Sequence, residues 1–475
     1  MARDERRTGW LLGGLAALLV ARQLRWLLTG TINEDELENL QILWLFDHGR
    51  VFGRDYVTSH LPTFSLLLAP LYRWRGVSPA LPGLVRVAIA PLMAWTLAEV
   101  ALLGRRIAGH ARGALVAVIL LLASPTLAAS LSEARPDSVA LPLALLAFRL
   151  FASYVGSGRV GTLSLAGLAF GLSFLFNPKA VLLWLATAWA AERHHVRELA
   201  LPGSARTRRI AAFAVLALAP LGLALAFLAA RGIVGSADVE VFLTTGYRWL
   251  DATRLAAYKR HLATRIVALS PLPWLLGAWA LVRSPWRRDA PWQALTLAAL
   301  AHGAQIALSA VLVTQMLLIP AALFAAAAAR ALRERSAATQ TVAMLVAVLM
   351  PACFAAEDRH GRAEQTARMA FVLAHVPEDR SVLDGRYGLE AFRPLIGRFQ
   401  QFRPWIYRPG VFANEQAEVL SAIASQRVGA VIHHPLYELF DPELRALIER
   451  HYAPSARTDV WLPRPRPAAP SPTGS

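Results

Sequence analysis

A dense group of carboxylates directly after the first apolar run of the chain has the composition needed for acid–base chemistry. The stretch from Thr31 to Asn39 reads TINEDELEN, with four carboxylates within five residues. A carboxylate in a partly desolvated cleft can act as a general base towards a hydroxyl or amine. Asp35 and Glu36 are therefore the candidate catalytic residues. The alternative is an acidic helix start, because Asn33 and Asp35 suit an N-cap and helix N-termini favour acids.

A second charged group, Glu133-Ala-Arg135-Pro-Asp137, lies between two apolar runs. A guanidinium beside two carboxylates is suited to orienting a phosphate or to ordering a catalytic loop. Arg135 is therefore a candidate phosphate-binding residue, and Glu133 and Asp137 are candidate supporting residues. An ordinary polar turn between two membrane helices, with Pro136 starting the second helix, is the alternative.

An isolated cation, Lys179, lies in the motif Asn177-Pro-Lys179 between two short apolar runs. It is suited to neutralising a phosphate that leaves in a reaction, although a lone lysine can also simply snorkel to the membrane interface. Gln315 belongs to a set of polar residues that interrupt two late apolar runs. Such residues face a cavity or hydrogen-bond to a partner helix, and both interpretations stay open.

The apolar runs indicate the class of protein to which these side chains belong. The chain has 475 residues, of which 56% are hydrophobic, and its mean hydropathy is +0.41. Apolar runs of about 18 residues or more recur along it, and each is long enough to cross a hydrocarbon core. Open structures other than helices cannot satisfy their backbone hydrogen bonds in lipid. The sequence therefore predicts a polytopic α-helical membrane protein.

The net charge of +17 would suggest a nucleic-acid partner in a soluble protein. Here the arginines gather at the ends of apolar runs, which is typical of membrane topology and of contact with anionic lipid. We therefore expect membrane lipids as partners and no nucleic acid. The one cysteine, Cys353, excludes an intramolecular disulfide and a thiolate metal site. The adjacent His433 and His434 would point to opposite faces of a strand, so no metal is assigned to them.

Eleven membrane spans are expected, with the N-terminus in the cytoplasm because three arginines precede Gly9. The first span is expected to be an uncleaved signal anchor, since it is long and lacks a small-x-small cleavage site. An interfacial helix is predicted over 36–48, and a second interfacial or re-entrant helix over 60–75. The expected spans cover residues 9–28, 84–103, 114–131, 138–154, 163–176, 181–191, 210–230, 266–282, 292–308, 312–329 and 342–356.

The arginine-rich loops give this topology an internal check. With eleven spans, five of these loops fall on the cytoplasmic side and the acidic loops fall on the opposite side, as the positive-inside rule requires. The Asp35 group, the loop from Glu133 to Asp137, Lys179 and the C-terminal part then share one face. We expect that face to be the periplasmic side of a bacterial cytoplasmic membrane.

Near residue 357 the composition changes to that of an ordinary globular domain. We therefore expect a transmembrane domain over 1–356 and a small α/β domain over 357–462. The tail 463–475 is rich in Pro, Ala and Ser, which predicts disorder. The elements predicted in the small domain are strands over 381–384 and 429–433 and helices over 417–425 and 442–451.

In their order and sidedness these motifs resemble the GT-C superfamily of membrane glycosyltransferases. The nearest branch comprises the protein O-mannosyltransferases, the aminoarabinose transferase that acts on lipid A, and related bacterial enzymes that use polyprenyl-phosphate sugars. The family commonly has His-Pro-Pro where this chain has His60-Leu61-Pro62, so the role of His60 stays open. The resemblance covers about residues 1–335 and rests on Asp35-Glu36, Asp55-Tyr56, His60-Leu-Pro62, Glu133-Ala-Arg135-Pro-Asp137, Asn177-Pro-Lys179 and the segment from Gln315 to Pro320.

The resemblance implies a glycosyltransferase whose first outer loop supplies the catalytic acid residue. Asp35 would be the base, with Glu36 as an alternative or a partner. The donor would be a polyprenyl-phosphate monosaccharide, attacked directly by a glycan, lipid or protein acceptor with inversion at the anomeric carbon. Lys179 and Arg135 would bind the donor phosphate.

The resemblance also implies supporting residues and bears on cofactors. A lipid phosphate replaces the nucleotide that usually recruits a metal, so no metal is assigned. Some relatives contain a divalent metal, and a requirement for one stays open. The residues expected to support the reaction or to bind substrate are Asp137, Glu133, Asp55, Tyr56, His60 and Gln315.

Two other classes of function are compatible with a polytopic membrane protein. A transporter or lipid flippase would show inverted internal repeats and helices broken at mid-membrane. No repeat is evident, and the polar groups gather at one face. A non-catalytic scaffold that recruits partners through its outer domain would not need acidic residues in both outer loops.

Overall fold

The computed structural model describes most of the chain, which forms two compact units. The described residues are 2–52, 55–56, 61–230, 260, 270–284, 289–308, 317–333, 335–352, 361–384, 391–396, 413–433, 437 and 441–465. The first unit is drawn from Met1–Gly30, Gly83–Gly232 and Leu250–Gly361. The second unit is drawn from Thr31–Pro82, Ile233–Trp249 and Arg362–Ser475.

Helices dominate both units and are numbered here in chain order. The first ten are α1 (Ala2–Thr29), α2 (Glu34–Asp47), α3 (Thr63–Arg75), α4 (Leu81–Ala108), α5 (Arg112–Ala123), α6 (Pro125–Leu131), α7 (Pro136–Ser157), α8 (Val160–Phe176), α9 (Val181–Arg197) and α10 (Gly203–Ala230). A 3-10 turn, Pro178–Ala180, joins α8 to α9. The remaining helices are α11 (Pro271–Arg283), α12 (Ala290–Leu308), α13 (Leu318–Ala331), α14 (Ala337–Ala352), α15 (Arg362–His375), α16 (Ala413–Ala424) and α17 (Pro442–His451).

Four described helices are long and apolar enough to cross a membrane, namely Glu5–Thr29 of α1 together with α4, α7 and α10. α5 and α6 would together make a fifth span, but they meet at 98°. The bend lies at Ser124, whose backbone is extended with ψ 111° because Pro125 disfavours a helical conformation in the residue before it. The expected span 114–131 is therefore broken.

The described parts of the remaining expected spans form shorter helices, and residues 266–269, 312–316 and 353–356 of these spans lie outside the described residues. Three of these are apolar and of 10 to 17 residues, Val160–Phe176, Leu318–Ala331 and Ala337–Leu349. A straight crossing takes about 20 residues, so length alone does not decide whether these helices span. The described part of the chain thus has the apolar helices of an integral membrane protein, and the count of eleven spans stays a prediction.

Small residues let the helices of the first unit approach each other closely. α8 lies against α10 at Gly167, where an added Cβ would collide with the carbonyl oxygen of Phe213. α13 is rich in alanine, is buried over most of its length and packs against α5 and α11. Because lipid tails are as apolar as the helices, such close packing is a main source of helix association in a membrane.

A partly buried ion pair connects α4 to α7 inside the first unit. Arg149 donates two hydrogen bonds to the Glu99 carboxylate, from Nε at 2.6 Å and from Nη2 at 3.0 Å. Glu99 is only 2% exposed, and Trp95 donates to it from its indole nitrogen at 3.2 Å. This pair favours one relative register of the two helices, since sliding either helix would leave the buried Glu99 carboxylate without its partner.

The second unit combines α2 and α3 with a small sheet. The strands are β1 (Ser381–Leu383), β2 (Val428–Ile432), β3 (Tyr452–Pro454) and β4 (Val460–Pro463), in the order β1-β2-β4-β3. β1 and β2 are parallel, and the other two pairs are antiparallel. Apolar side chains of α16, α17 and the strands form its core, including Val419, Ile423, Val431, Leu444 and Ile448.

The local predictions for this unit are largely confirmed. α2 and α3 lie where the helices over 36–48 and 60–75 were expected, and β1, β2, α16 and α17 match the four elements predicted in the C-terminal part. α2 is buried on every face from Glu36 to Leu45, which differs from the one-sided burial expected of an interfacial helix. A position of α3 at the membrane interface stays a prediction. β3 and β4, of three and four residues, were not predicted. The domain boundary near residue 357 stays a prediction, and the second unit also contains Thr31–Pro82.

Candidate functional site

The acidic stretch forms the capped start of α2 in the second unit. Asn33 is the N-cap, and its Oδ1 accepts a hydrogen bond of 2.9 Å from the backbone N–H of Asp35. The Glu36 carboxylate accepts one of 2.7 Å from the backbone N–H of Asn33. These reciprocal bonds form a capping box, which satisfies two backbone donors that a helix start otherwise leaves without partners.

The capping box gives the two candidate catalytic carboxylates different environments. Glu36 is 3% exposed and its carboxylate is engaged by the cap, whereas Asp35 is half-buried. Asn39 donates from Nδ2 to the carbonyl oxygen of Asp35 at 2.8 Å, and Ser65 of α3 donates to Asn39 at 3.1 Å. The backbone of Asp35 is therefore held from two sides while its side chain is partly open to solvent.

Asp55 and Tyr56 lie in a local turn of the second unit. The Asp55 carboxylate accepts a hydrogen bond of 2.8 Å from the backbone N–H of Val51. Tyr56 is fully buried between the rings of Phe46 and Phe52, with ring centroids at 6.1 and 5.7 Å. Burial and the Asp55 charge raise the pKa of the Tyr56 hydroxyl, which has no hydrogen-bond partner among the described residues. These contacts favour structural roles, and substrate binding stays a prediction.

Asp137 and Lys179 come together in the first unit, at the start of α7 and the end of α8. Asp137 lies in the first turn of α7, where a negative charge is favoured. Its Oδ1 atom accepts a hydrogen bond of 2.7 Å from Nδ2 of Asn177 and lies 3.5 Å from Nζ of Lys179. Asn177 also accepts the backbone N–H of Lys179 at 3.0 Å, so it orients both charged residues.

Arg135 and Glu133 form a second ion pair in the same loop before α7. Nη1 of Arg135 lies 3.3 Å from the Glu133 carboxylate, and the two residues are 4% and 9% exposed. Together with Asp137 at the start of α7 and Lys179 in the turn after α8, they make two cations and two carboxylates that are largely buried. We call these four residues the charged cluster. Its pairing offsets the cost of removing charges from water.

Asp137 lines a narrow crevice that has no room for a water molecule. The crevice is lined by Asp137, Ser138, Thr96 and Ser130 together with apolar side chains. Asp137 is 7% exposed, and its Oδ2 atom has no hydrogen-bond partner among the described residues. The two oxygens of Asp137 therefore differ, since only Oδ1 is held by Asn177.

The predicted site residues thus form two groups, one in each unit. The first unit contains the ion pairs Glu133–Arg135 and Asp137–Lys179, and the second unit contains Asp35, Glu36, Asp55 and Tyr56. His60 and Gln315 lie outside the described residues.

Two polar residues of the first unit were not singled out from the sequence. Asn177 was seen only as part of a motif, yet it bridges Asp137 and Lys179. Arg86 of α4 is 1% exposed and donates from Nη1 to the carbonyl oxygen of Gly30, at the end of α1, at 2.9 Å. A charged residue inside an apolar run was the available signal for Arg86, since such residues are rarely without a role.

The second unit also contains an open groove away from its acidic residues. The groove has a volume of about 710 Å³ and is lined by apolar side chains together with His375, Glu378 and Arg393. Among the predicted site residues that the structure describes, none lines it. In the described part of the chain, no group of three or more His, Cys, Asp or Glu side chains could hold a metal ion.

Comparisons with known proteins bear on both units. Residues 82–229, which include the charged cluster, match the family model described as dolichyl-phosphate-mannose-protein mannosyltransferase. No curated protein sequence matches the chain.

The structural similarity extends over nearly the whole chain. The structure of ArnT from Cupriavidus metallidurans bound to undecaprenyl phosphate superimposes with a TM-score of 0.60 at 12% identity, covering 96% of this chain and 97% of ArnT. The apo structure of the same ArnT gives a TM-score of 0.57 at 13% identity, covering 96% and 98%. The resemblance to the GT-C superfamily of membrane glycosyltransferases is therefore confirmed, and the chain has the fold of that superfamily.

Proposed function

We propose that this protein is a glycosyltransferase that moves a sugar from a polyprenyl-phosphate-linked donor to an acceptor. The related ArnT structure is bound to undecaprenyl phosphate, which is a polyprenyl phosphate. The observation in this chain that carries the proposal is the charged cluster, where Lys179 is held 3.5 Å from Asp137 in a largely buried setting. We place the transfer on the outer face of a bacterial cytoplasmic membrane, with the N-terminus in the cytoplasm.

The cations of the charged cluster could exchange their carboxylate partners for the phosphate of a bound donor. Lys179 and Arg135 lie 3.5 and 3.3 Å from their carboxylate partners. Strong charge-assisted hydrogen bonds between such groups are about 2.7–2.9 Å long. A donor phosphate can therefore compete with these carboxylates for cations that are already largely removed from water, where the attraction is strongest.

Asp35 is the proposed general base. Glu36 is engaged in the capping box, whereas Asp35 is half-buried and its backbone is fixed. The hydroxyl or amine of the acceptor would lose its proton to the Asp35 carboxylate as it bonds to the anomeric carbon. The bond from that carbon to the phosphate oxygen breaks, and its electrons leave with the lipid phosphate. Direct displacement inverts the anomeric configuration.

The cations of the charged cluster would act on the leaving group. Charge develops on the phosphate oxygen as the sugar departs, and Lys179 and Arg135 would stabilise it electrostatically. Asp137 and Glu133 would keep these two cations in place before the donor arrives. His60 and Gln315 stay proposed substrate-binding residues, and the acceptor would be a glycan, a lipid or a protein.

One observation favours the alternative of a transporter or lipid flippase. The break of 98° between α5 and α6 is a feature that transporters use to build sites near the middle of a membrane. In this chain the break and α6 are followed by the loop that contains Glu133 and Arg135, so the break also serves to place these two residues. A measurement of sugar transfer therefore distinguishes the glycosyltransferase from the transporter.

The decisive experiment compares two carboxamide variants in purified protein. Transfer and donor hydrolysis are measured with a panel of radiolabelled polyprenyl-phosphate sugars for the unaltered protein, Asp35→Asn and Glu36→Gln. A glutamine at position 36 can still accept the Asn33 N–H, so Glu36→Gln is the matched control.

We expect Asp35→Asn to lower the rate by about 10²- to 10⁴-fold, the usual contribution of a general base, and Glu36→Gln to stay within about threefold. Turnover that is equally retained in both variants would show that Asp35 is not the base. An absence of turnover with every donor, in protein that is folded and binds polyprenyl phosphate, would favour the transporter.

A further inference from the structure

Two buried glutamines attach residues 31–39, which we call the acidic segment, to the C-terminal part of the second unit. Gln365 of α15 accepts the backbone N–H of Ile32 at 2.7 Å and donates to the carbonyl oxygen of the same residue at 2.8 Å. Gln41 of α2 accepts the backbone N–H of Phe392 at 2.6 Å and donates to the carbonyl oxygen of Arg393 at 2.6 Å. We call this pair of side-chain amides the amide clasp.

Each amide of the clasp replaces a pair of backbone hydrogen bonds. Gln41 and Gln365 are 1% and 9% exposed, and the atoms they satisfy are backbone groups with no helix or strand partner of their own. A buried amide that bonds both a donor and an acceptor is directional, because rotation of either partner breaks both bonds. The clasp therefore fixes orientation as well as contact.

The clasp holds the chain on both sides of Asp35. Ile32 lies three residues before Asp35, and Gln41 lies six residues after it. The capping box and the bond from Asn39 hold the residues in between. Asp35 is thus placed between two points that are attached to α15 and to the segment around Phe392.

The attachment on the C-terminal side is itself rigid. Arg393 donates to the carbonyl oxygens of Phe392 and Val376 at 2.7 Å each, and to that of Leu373 at 3.2 Å. Phe392 has φ +68°, a conformation that side chains other than glycine adopt only when their surroundings hold them. Its ring stacks on Tyr72 of α3, with centroids 6.4 Å apart. Gln41 therefore binds a segment that is held in place by its own contacts.

We infer that Gln41 and Gln365 are positioning residues for the general base, so that the C-terminal part of the second unit sets the geometry of catalysis. This inference rests on the proposed function, because the clasp affects the reaction only by positioning Asp35. Neither glutamine takes part in the chemistry. Since a displacement of about 1 Å of a catalytic group can cost 10²-fold in rate, a loosened clasp should lower turnover.

The test compares Gln41→Leu, Gln365→Leu and the double variant with the matched control Gln340→Leu. Gln340 is an equally buried glutamine, 2% exposed, whose amide donates to the carbonyl oxygens of Leu332 and Arg335 at 2.9 and 3.1 Å. It belongs to the first unit, whereas both glutamines of the clasp belong to the second. Two readouts are used on full-length protein, kcat and KM with a polyprenyl-phosphate sugar and amide hydrogen exchange over residues 32–41.

We expect the clasp variants to lose about 10- to 100-fold in kcat with KM for the donor nearly unchanged, and to exchange faster over residues 32–41. Gln340→Leu should leave both readouts unchanged. Faster exchange with unaltered kcat would overturn the positioning role, and unaltered exchange would overturn the clasp itself. If Asp35→Asn is fully active, the proposed base fails, and the exchange data still decide whether the clasp exists.

Discussion

Asn177 donates a hydrogen bond of 2.7 Å to the same oxygen of Asp137 that faces the ammonium group of Lys179. The amide is 2% exposed and its own oxygen accepts the backbone N–H of Lys179. One neutral side chain thus controls the distance between two opposite charges. The end of α8 and the start of α7 are joined at this point.

Replacing Asn177 should weaken both the fold and the charged cluster. Asn177→Ala removes the bond to Asp137 and leaves a buried carboxylate less satisfied, which costs about 1–3 kcal/mol in the free energy of unfolding. Thermal unfolding in detergent measures this loss. Ser173→Ala, which removes a bond of 2.8 Å from the same helix to the Ala140 carbonyl oxygen, is the control for a neutral partner. An equal or smaller loss for Asn177→Ala would contradict the account.

Lys179 should be needed for binding of the lipid phosphate. Lys179→Met keeps the length of the side chain and removes its charge, and hydrogen bonds to charged groups contribute about 1.5–3 kcal/mol. Binding of undecaprenyl phosphate should therefore weaken by about 10- to 100-fold, measured by competition with a labelled lipid phosphate. Lys259→Met is the comparison for the loss of one positive charge elsewhere in the chain. Equal affinities of the two variants would remove Lys179 from the phosphate site.

Glu36 should matter for stability through its cap. Glu36→Ala breaks the bond to the Asn33 N–H and should cost about 0.5–2 kcal/mol, whereas Glu36→Gln should cost little because glutamine also completes a capping box. Chemical unfolding followed by tryptophan fluorescence provides the comparison. A loss for Glu36→Gln as large as that for Glu36→Ala would mean that the carboxylate charge, and not the cap, is required.

Tyr56 should tolerate loss of its hydroxyl. The ring is fully buried between Phe46 and Phe52, and the hydroxyl has no hydrogen-bond partner among the described residues. Tyr56→Phe keeps the ring contacts and removes a buried polar atom, so stability should be unchanged or slightly higher. Transfer activity of this variant tests the predicted substrate-binding role. A large loss of activity with intact folding would establish that role against the structural interpretation.

The ion pair between Glu99 and Arg149 should be sensitive to the loss of one partner. Glu99→Gln leaves the partly exposed guanidinium without its carboxylate and should cost about 1.5–3 kcal/mol, the usual contribution of hydrogen bonds to charged groups. The double variant Glu99→Leu with Arg149→Leu should recover most of that loss. Thermal unfolding of the two variants in the same detergent makes the comparison. A double variant that is less stable than Glu99→Gln would show that the pair is favourable as a whole.

The sequence by itself determined the class of this protein and the location of its charged groups. Apolar runs predicted membrane helices, and the spacing of Leu and Trp residues after Asp35 predicted α2, because both depend on interactions between near neighbours in the chain. Glu133-Ala-Arg135-Pro-Asp137 was recognised for the same reason, since polar groups between two apolar runs are visible without knowing how the helices pack.

Only the tertiary structure decided which partner each of these groups has. It distinguished Asp35 from Glu36 through the cap, paired Lys179 with Asp137 across two helices, and joined Gln41 to Phe392, which lies 351 residues away in sequence. It also revealed the break at Ser124 inside a run that looked like one span. Such contacts arise from chain segments that meet only after folding, so no local pattern of residue types could specify them.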